Sequence, residues 1–264
     1  MREAPLDPGH VAPAQYVAFL DRQAEVFRDQ RRTGNARLGL RPGQAVLDAG
    51  CGPGTDTFDL EELVLPGGRV VGVDSSEAMI AIARQRSIAR GSQAQLMVSD
   101  VCALELPDEA FDLVRCVLLL LHVRDPAAAL CEMVRVLRPG GQVVCIDVDH
   151  QMDALDATDV GLAERVHRGR FADLQNPRIG RQLKGLFVAA GLVQVQVEVL
   201  TEVSTSWSQF IALPGPSVFD RALARGDATQ AELDELKSDL EARDAEGRFF
   251  ACAVRMRCSG IKPE

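Results

Sequence analysis

The sequence lacks several features that would each indicate a class of function. No apolar run approaches the roughly 20 residues that a membrane helix needs, and the polar MREAPLDPGH start has no apolar signal core. One Trp, one Tyr and a net charge of −9 argue against nucleic acid, which is bound by clustered basic residues and stacking aromatics. We therefore expect neither nucleic acid nor a membrane as partner, and a cytoplasmic location.

Paired cysteines are also missing. The seven cysteines are scattered without a CxxC pair, and most lie within apolar stretches, as small buried hydrophobic residues do. Clustered carboxylates that could hold a metal beside an acceptor site are not found either. We therefore expect no zinc site, no disulfide framework and no bound metal.

What the chain does contain is an alternation of strand-like and helical segments. A helical pattern from Tyr16 to about Leu40 comes first. Strands are predicted at 45–49, 69–73, 95–98, 111–117 and 142–147, with helices at 55–63, 77–90 and 126–137 between them. This order is typical of a mostly parallel sheet with helices on both faces, whose ligands bind beyond the carboxyl ends of the strands.

The second half has a different pattern. Helices are predicted at 153–171 and 180–190, and strands at 193–203 and 248–257. The segment between those two strands has an interrupted helical pattern, in which Thr229 and Glu232 match a capping box. We expect three parts: an N-terminal helical lid (1–40), a core (41–203 and 248–258) and a helical cap (204–247).

A glycine-rich turn follows the first predicted strand. Gly50, Gly52 and Gly54 lie in the run VLDAGCGPG (46–54), between a buried strand and a helix. In a dinucleotide fingerprint the third glycine comes one residue later, and Asp56 in the first helical turn would repel a pyrophosphate. S-adenosylmethionine (SAM) has no phosphate, and Asp48 suits its cationic groups. The turn therefore favours SAM.

Two further acidic residues end the next strands. Asp74, which follows the second strand, can accept two hydrogen bonds from a ribose diol, and this fits NAD and SAM equally. Asp100 follows the third strand, where its carboxylate can accept from an adenine amino group while Val101 lies beside the ring. These positions predict a nucleoside site.

The motifs in order resemble class I SAM-dependent methyltransferases. They are VLDAGCGPG, VVGVDSS (70–76), VSD (98–100), PDEAFDLV (107–114) and VLRPGG (136–141), and the small-molecule group with ubiquinone/menaquinone-type and natural-product enzymes is the most similar. The run RIGRQLKGLF (178–187) also resembles actinobacterial members. The resemblance implies a Rossmann-like, doubly wound α/β sheet of seven mostly parallel strands with an antiparallel last strand, plus helical lids. The cofactor residues that we assign on the motifs and the resemblance together are Asp48, Gly50, Cys51, Gly52, Gly54, Asp74, Ser75, Asp100, Val101, Cys116 and Val117.

Three residues are candidates for acceptor chemistry. His122 follows the fourth strand in LLLLHV (118–123), where it can orient or deprotonate a hydroxyl above an apolar floor, or serve only in packing. Asp149 and His150 follow the fifth strand and are candidate substrate contacts or a base pair; a polar loop is the alternative. Basic residues around His167 can bind an anionic group or form a solvated surface, and Trp207, Phe210 and Phe219 can face a lid or a core. Arg115 faces the cofactor or pairs locally.

Three functions are compatible with this fold. The first is methyl transfer from SAM to an O, N or C atom of a small, hydrophobic metabolite, as in natural-product biosynthesis. The second is a SAM-binding protein of the same fold that catalyses cyclisation or decarboxylation, and the third is a module with a degenerate pocket. The intact Gly50, Asp74 and Asp100 set argues against the third. A small molecule is the expected partner, and a homodimer stays open.

Overall fold

The computed structural model describes residues 13–26, 28–169, 171, 174–211 and 218–264. Phe27 and Arg170, which the sequence analysis placed in predicted helices, lie outside these residues. The helices are α1 (Pro13–Val26), α2 (Arg28–Ala36), α3 (Thr55–Val64), α4 (Glu77–Arg90), α5 (Pro126–Val136), α6 (Val160–Gly169), α7 (Ile179–Ala189), α8 (Trp207–Ile211), α9 (Val218–Arg225) and α10 (Gln230–Ala245). The strands are β1 (Ala45–Ala49), β2 (Arg69–Asp74), β3 (Gln95–Val98), β4 (Phe111–Val117), β5 (Leu137–Val148), β6 (Ala154–Leu155), β7 (Val193–Ser204) and β8 (Ala251–Ile261).

The strands form one mixed sheet. Its order is β3-β2-β1-β4-β5-β8-β6, and β7 also pairs with β8. The strands from β3 to β5 are parallel, whereas β8 runs antiparallel to β5, β6 and β7. The predicted Rossmann-like class is confirmed, with the two-residue β6 added to the seven predicted strands.

Local signals in the sequence set the ends of several helices. Ser76 accepts a hydrogen bond from Met79 N–H at the start of α4, and Gly91 ends that helix in the left-handed region, at φ 66°. Asp125 caps α5, and the Thr229–Glu232 capping box at the start of α10 is confirmed. These helices therefore begin and end close to where the sequence places them.

Several predicted boundaries are wrong. The helical pattern expected to reach about Leu40 ends at Ala36, and the last strand, expected at 248–257, covers Ala251–Ile261. The helix expected at 153–171 begins only at Val160, because the preceding segment pairs with β8 as β6 and Asp159 then accepts the Leu162 N–H. The helix expected to reach Leu137 ends at Val136, because Leu137 pairs with Phe111 and opens β5. The Pro139-Gly140-Gly141 turn falls inside β5, at an irregularity in its register with β4.

The molecule has two main apolar cores. The larger one lies on the sheet and includes every fully buried large side chain of β4 and α5. A second core lies among α6, α8, α9 and α10 around Trp207 and Phe249. We call this four-helix assembly the cap. Its core includes α6, which precedes the 204–247 segment in the sequence.

No helix in the described ranges is both long and apolar enough to cross a membrane.

Candidate active site

One cavity of about 680 Å³ follows the carboxyl edge of the sheet. The strand order places the ends of β3, β2, β1, β4 and β5 side by side along it. Neighbouring strands lie about 4.8 Å apart, so β3 and β5 are separated by roughly 20 Å. The cavity is thus long enough for an extended cofactor and a second molecule beside it.

The glycine turn forms the middle of this cavity. Gly50, Gly52 and Gly54 have φ values of 73°, 53° and 82°, in the left-handed region that glycine adopts without a steric penalty. The N–H groups of Gly50 and Cys51 both donate to the Val73 carbonyl, which fixes the turn on β2. A Cβ atom on Gly52 would have only Leu20 within 4 Å, so its open side leaves room for a ligand against the backbone.

On one side of the turn, Asp74 ends β2. Its Oδ2 accepts from Gly52 N–H and its Oδ1 from Ser76 N–H, both at 2.9 Å. Burial raises the pKa of Asp74, while the two N–H groups and the nearby His122 oppose that rise. A carboxylate oxygen can accept more than one hydrogen bond, so this fixed group retains acceptor capacity towards the cavity.

The end of β3 contributes the next group of residues. Asp100 is exposed at the cavity wall, and its Oδ1 accepts from Cys102 N–H at 2.9 Å. Val101 is buried beside it, and the buried Ser99 hydroxyl has no hydrogen-bond partner. An unpartnered buried hydroxyl costs about 1–3 kcal/mol, so a ligand that bonds to it would gain from doing so.

Beneath the turn lies a buried ion network. Arg115 of β4 donates to Asp48 at 3.1 Å and to Asp56 at 2.7 Å, and Thr57 donates to the other oxygen of Asp48. Burial opposes the charges, yet Arg115 lowers the pKa of Asp56 and the two carboxylates raise that of Arg115. Arg31 of α2 lies 3.0 Å from Asp56, and it therefore links the N-terminal helices to this network.

The loop after β4 covers the other side of the turn. Leu118 has a φ of 52°, a strained value for a leucine, and backbone strain of this kind is concentrated at functional sites. The next residue, Leu119, fills the space beside Gly50, where a Cβ atom would lie 2.7 Å from Leu119 Cδ1. Val117 and His122 both line the cavity.

A cluster of two histidines and one aspartate lies past the end of β5. Asp153 Oδ2 is 2.8 Å from His150 Nδ1 and 3.2 Å from His167 Nε2, and its Oδ1 accepts from Val254 N–H at 2.7 Å. Burial opposes the charge of Asp153, but these hydrogen bonds hold its pKa well below its ordinary value. Phe171 stacks on His150, with ring centroids 3.3 Å apart.

A second charged pair faces the same end of the cavity. Arg255 of β8 binds Glu202 of β7 through two contacts, at 2.9 and 3.0 Å, and both side chains are about 15% exposed. Burial raises the pKa of Glu202, whereas Arg255 lowers it. The remaining wall at this end is mostly apolar, with Val148, Leu174, Phe210 and Val254.

Comparisons with known proteins agree with this geometry. The family described as a methyltransferase domain matches residues 47–166. Demethylmenaquinone methyltransferase of Staphylococcus aureus is 33% identical over 179 residues, covering 62% of this chain and 74% of that protein. The chain belongs to the class I SAM-dependent methyltransferases, in the small-molecule group, and SAM is its cofactor.

Two further proteins are similar to this chain in different ways. An uncharacterized 37.1 kDa protein in transposon Tn4556 of Streptomyces fradiae is 35% identical over 249 residues, which cover 90% of this chain and 69% of that one. The YcgJ protein of Bacillus subtilis has a TM-score of 0.61 at 19% identity, over 90% of this chain and 99% of its own. The second likeness concerns the fold alone.

The cavity of this methyltransferase brings together most of the cofactor residues predicted from the sequence. Those that line it are Asp48, Gly50, Cys51, Gly52, Asp74, Ser75, Asp100, Val101 and Val117. Gly54 stands behind the turn, where a Cβ atom would meet Phe58 at 2.9 Å. The open side of Gly52, the Asp74 carboxylate and the Ser99 hydroxyl fit the groups that SAM presents.

Three details of the prediction need correction. Cys116 does not line the cavity, because strand alternation turns it into the fully buried core and Val117 outward. Asp48 is not free to balance a cationic ligand alone, since Arg115 and Thr57 bind its two oxygens. Arg115 and Arg31 also compensate the charge of Asp56, so that charge does not by itself exclude a phosphate.

Asp149 is the main correction at the acceptor end. The prediction paired it with His150, but its carboxylate binds Arg181 of α7 and does not line the cavity. Asp153 takes that place beside His150. Two basic residues near His167 also pair away from the cavity: Arg165 with Glu232, and Arg168 with Glu164.

The sequence reasoning missed Asp153, Glu202 and Arg255, and it considered His167 only as part of a basic group that binds an anion or forms a solvated surface. Asp153 was expected inside a helix, and the last two lie on the strands that follow the shared motifs. The sequence signal that could have identified Asp153 is its i, i+3 spacing from His150. Within the part of the chain that the structure describes, no group of three or more His, Cys, Asp or Glu residues is arranged to hold a metal ion.

Proposed function

We propose that this methyltransferase transfers the methyl group of SAM to an O, N or C atom of a small, largely apolar molecule bound between the end of β5 and the cap. The observation that carries this proposal is the order of groups along the sheet edge. Asp100, Asp74, the glycine turn and Val117 follow one another, and beyond them the same cavity continues to His150.

The cofactor residues would act in that order. Asp100 and Val101 would receive the adenine, Asp74 the ribose hydroxyls, and the glycine turn the methionine part. Bound SAM supplies a methyl group on a positively charged sulfur, which makes the transfer favourable. The protein then has to position the acceptor in line with that methyl group and exclude water, because the reaction is sensitive to geometry.

The acceptor end supports a small, mainly apolar molecule. Phe210, Leu174, Val148 and Val254 form an apolar part of its wall, and the charges of Glu202 and Arg255 are paired with each other. Demethylmenaquinone, named for the S. aureus relative, is a molecule of this general kind. We further propose a role in natural-product biosynthesis and a cytoplasmic location, where SAM is available.

Calorimetric titration with SAM and S-adenosylhomocysteine tests the cofactor site. We expect both to bind more tightly than about 1 mM, equivalent to roughly −4 kcal/mol. Asp74→Asn should weaken binding by about 1–3 kcal/mol, through the loss of a charged hydrogen-bond acceptor. Asp234→Asn, on the exposed face of α10, is the matched control. Failure of either compound to bind at 1 mM would remove the proposal.

Transfer itself is tested with methyl-labelled SAM and a metabolite extract. Label in a small molecule would support methylation. The alternative, a cyclisation or decarboxylation that uses the same fold, predicts that substrate is converted while all the label stays on SAM. Either result requires the cofactor binding measured above, so the two experiments separate loss of the cofactor site from a change of reaction.

A further inference from the structure

We propose that β7 is the contact surface of a symmetric homodimer, in which the outer edges of β7 in two copies of this chain pair antiparallel about a two-fold axis centred on Val199. The inference goes beyond the proposed function and does not depend on it. It assigns a surface and a register to a homodimer, which the sequence alone leaves open.

The first observation is the position of β7 in the sheet. β7 pairs with β8 on one side, and among the described residues no strand pairs with its other edge. Natural edge strands usually prevent pairing with another chain by being short or by carrying proline or lysine. β7 has twelve residues and contains neither. Its register with β8 shifts between Val193 and Gln196 and is continuous from there to Ser204, so a long regular edge is available.

One face of this regular stretch carries an exposed row of β-branched side chains. Val197, Val199 and Val203 are 46%, 53% and 53% exposed, and Thr201 between them is also exposed. Exposed apolar side chains that adjoin one another mark interaction surfaces, whereas single scattered ones are ordinary. Pairing β7 with a second β7 would join the two rows into one apolar strip.

The opposite face of β7 carries charges that nearly balance. Glu198 pairs with Arg37 at 2.9 Å and lies beside Arg257 in the sheet. Glu202 pairs with Arg255 at 2.9 Å. Three guanidinium groups and two carboxylates leave a local net charge of +1. Of the net charge of −9, −6 comes from residues 227–246 of the cap, which include eight acidic and two basic residues. The edge itself therefore does not repel a second copy.

Charge also selects one register. About a two-fold axis one position of β7 faces its own copy, and the other positions pair symmetrically around it. An axis at Glu198 would oppose two glutamates, and one at Leu200 would place Glu198 opposite the partner's Glu202; directly opposed like charges are destabilising. An axis at Val199 instead opposes two valines and places Glu202 opposite the partner's Gln196, whose amide can donate to a carboxylate.

The size of the contact determines how strong the dimer is. In this register residues 196–202 face their counterparts, over about 24 Å at roughly 3.4 Å per residue. α7 packs on the valine face, where Gly180 adjoins Met256, the β8 neighbour of Val199. With a helix layer about 10 Å thick beside the sheet, the two copies bury on the order of 1,000 Å² together. That area is at the lower limit for a specific interface, so we expect a reversible dimer with a micromolar dissociation constant.

The proposed contact adjoins the cavity. Glu202 and Ser204 of β7 line its acceptor end, together with Arg255 of β8. In the dimer the partner's Gln196 lies opposite Glu202, in the strand next to this wall. Dimer formation would therefore hold in place the strand that bounds the acceptor end.

Sedimentation equilibrium of the full chain tests the dimer. Between about 1 and 100 µM we expect the average mass to rise from that of the 28.6 kDa chain towards twice that value. Val199→Lys opposes two lysines and should weaken the dimer by about 10-fold or more, and Val199→Glu should do the same. An equimolar mixture of the two variants should restore the dimer, because lysine then faces glutamate. Ile88→Lys, at an 83% exposed side chain of α4, is the matched control and should leave the dimer unchanged.

Cysteine cross-linking tests the register. All variants also carry Cys131→Ser, which removes the exposed native thiol. Val199→Cys should form a disulfide between two copies under mild oxidation, since opposed Cα atoms lie about 5 Å apart. Thr201→Cys alone should not, because its two copies are about 14 Å apart. A mixture of Thr201→Cys with Val197→Cys should cross-link, because these positions face each other.

Three results would overturn the inference. A wild-type chain that stays monomeric at the highest concentration would leave the edge of β7 for a strand of a different protein. A dimer that is as stable in Val199→Lys as in Ile88→Lys would be held by another surface. Failure of the lysine and glutamate variants to pair, with no disulfide in Val199→Cys, would exclude an axis at Val199.

Discussion

Gly52 and Gly54 belong to one turn, but a side chain at the two positions would meet different surroundings. A Cβ atom on Gly52 would point into open space near Leu20, whereas one on Gly54 would lie 2.9 Å from Phe58 and 3.3 Å from Ala83. Both positions require a left-handed backbone, which costs about 1–2 kcal/mol for a residue other than glycine. The two glycines therefore separate cofactor binding from packing.

Alanine at each position should show this separation. Gly52→Ala is expected to lower stability by only about 1–2 kcal/mol but to block the cofactor, since its methyl group occupies the open side of the turn. Gly54→Ala should destabilise the fold by more, because Phe58 must also move. Thermal unfolding and calorimetry with S-adenosylhomocysteine measure the two effects. The interpretation would be contradicted if both variants lost affinity for S-adenosylhomocysteine in the same proportion to their loss of stability.

At the same scale, the sequence predicts which residues reach the site better than it predicts their partners. Asp74, Asp100 and Val117 were located because each ends a strand, and parallel strand ends share one edge. The Asp48–Arg115 and His150–Asp153 pairs were not foreseen, since a carboxylate chooses among several neighbours according to side-chain packing. Asp149 shows the consequence: it follows the right strand but turns to α7, where Arg181 binds it.

At the scale of elements, the end of β5 is joined to the loop after β4 by Asp147. This fully buried carboxylate accepts from Leu121 N–H at 3.2 Å and from Val148 N–H at 2.9 Å. Burial raises the pKa of Asp147 to about 7, although the backbone N–H groups favour the charged form. The loop that carries His122 is thus attached to a group that titrates near neutral pH.

The raised pKa of Asp147 determines the sign of a pH effect on stability. The folded protein holds this proton more tightly than the unfolded chain, whose pKa is near the ordinary value of 3.8. The stabilising contribution of this proton to the free energy of unfolding is therefore complete below pH 3.8, and it is lost as the pH rises through about 7. Asp147→Asn should remove this slope. The difference in unfolding free energy between variant and wild type, measured from pH 5 to 8, should shift in favour of the variant as the pH rises; a constant difference would contradict it.

The N-terminal helices are attached to the core by a second link between elements. Arg31 of α2 contacts Asp56 at 3.0 Å and Asp59 at 2.8 Å, both on α3, while Leu20, Gln23 and Ala24 of α1 line the cavity. These contacts are consistent with the predicted lid that residues 1–40 would form. Its action as a lid stays a prediction.

Arg31→Gln tests whether that attachment supports the cofactor site. Removing the guanidinium leaves Asp56 with Arg115 as its cationic partner, and α1 is held less firmly over the cavity. We expect affinity for S-adenosylhomocysteine to fall by about 1 kcal/mol, the scale of a partly exposed ion pair. Arg32→Gln, the exposed neighbour, should leave the affinity unchanged. Equal affinities in the two variants would show that this ion pair does not act on the site.

At the scale of the whole molecule, the sheet and the cap have separate apolar cores that meet around the cavity. His167, Phe210 and Arg221 reach the cavity from the cap, and the cofactor residues reach it from the sheet. The apolar pattern of the sequence was sufficient to predict the parallel strands of the sheet, because such strands form continuous apolar runs. The cap joins α6 to three helices that follow β7, and the order of elements in the chain does not reveal that association.

Trp207, the single tryptophan of the chain, lies in the cap core and reports on that core alone. Leu240→Ala removes a fully buried side chain of the cap core, at a cost of about 2–5 kcal/mol. We expect its Trp207 fluorescence to change at a lower denaturant concentration than its far-ultraviolet circular dichroism, because the cap opens before the sheet. Leu130→Ala, an equally buried leucine of the sheet core, should instead move both transitions together. Coincident transitions in Leu240→Ala would mean that the cap and sheet unfold as one unit, and substrate would then have to enter without the cap separating from the sheet.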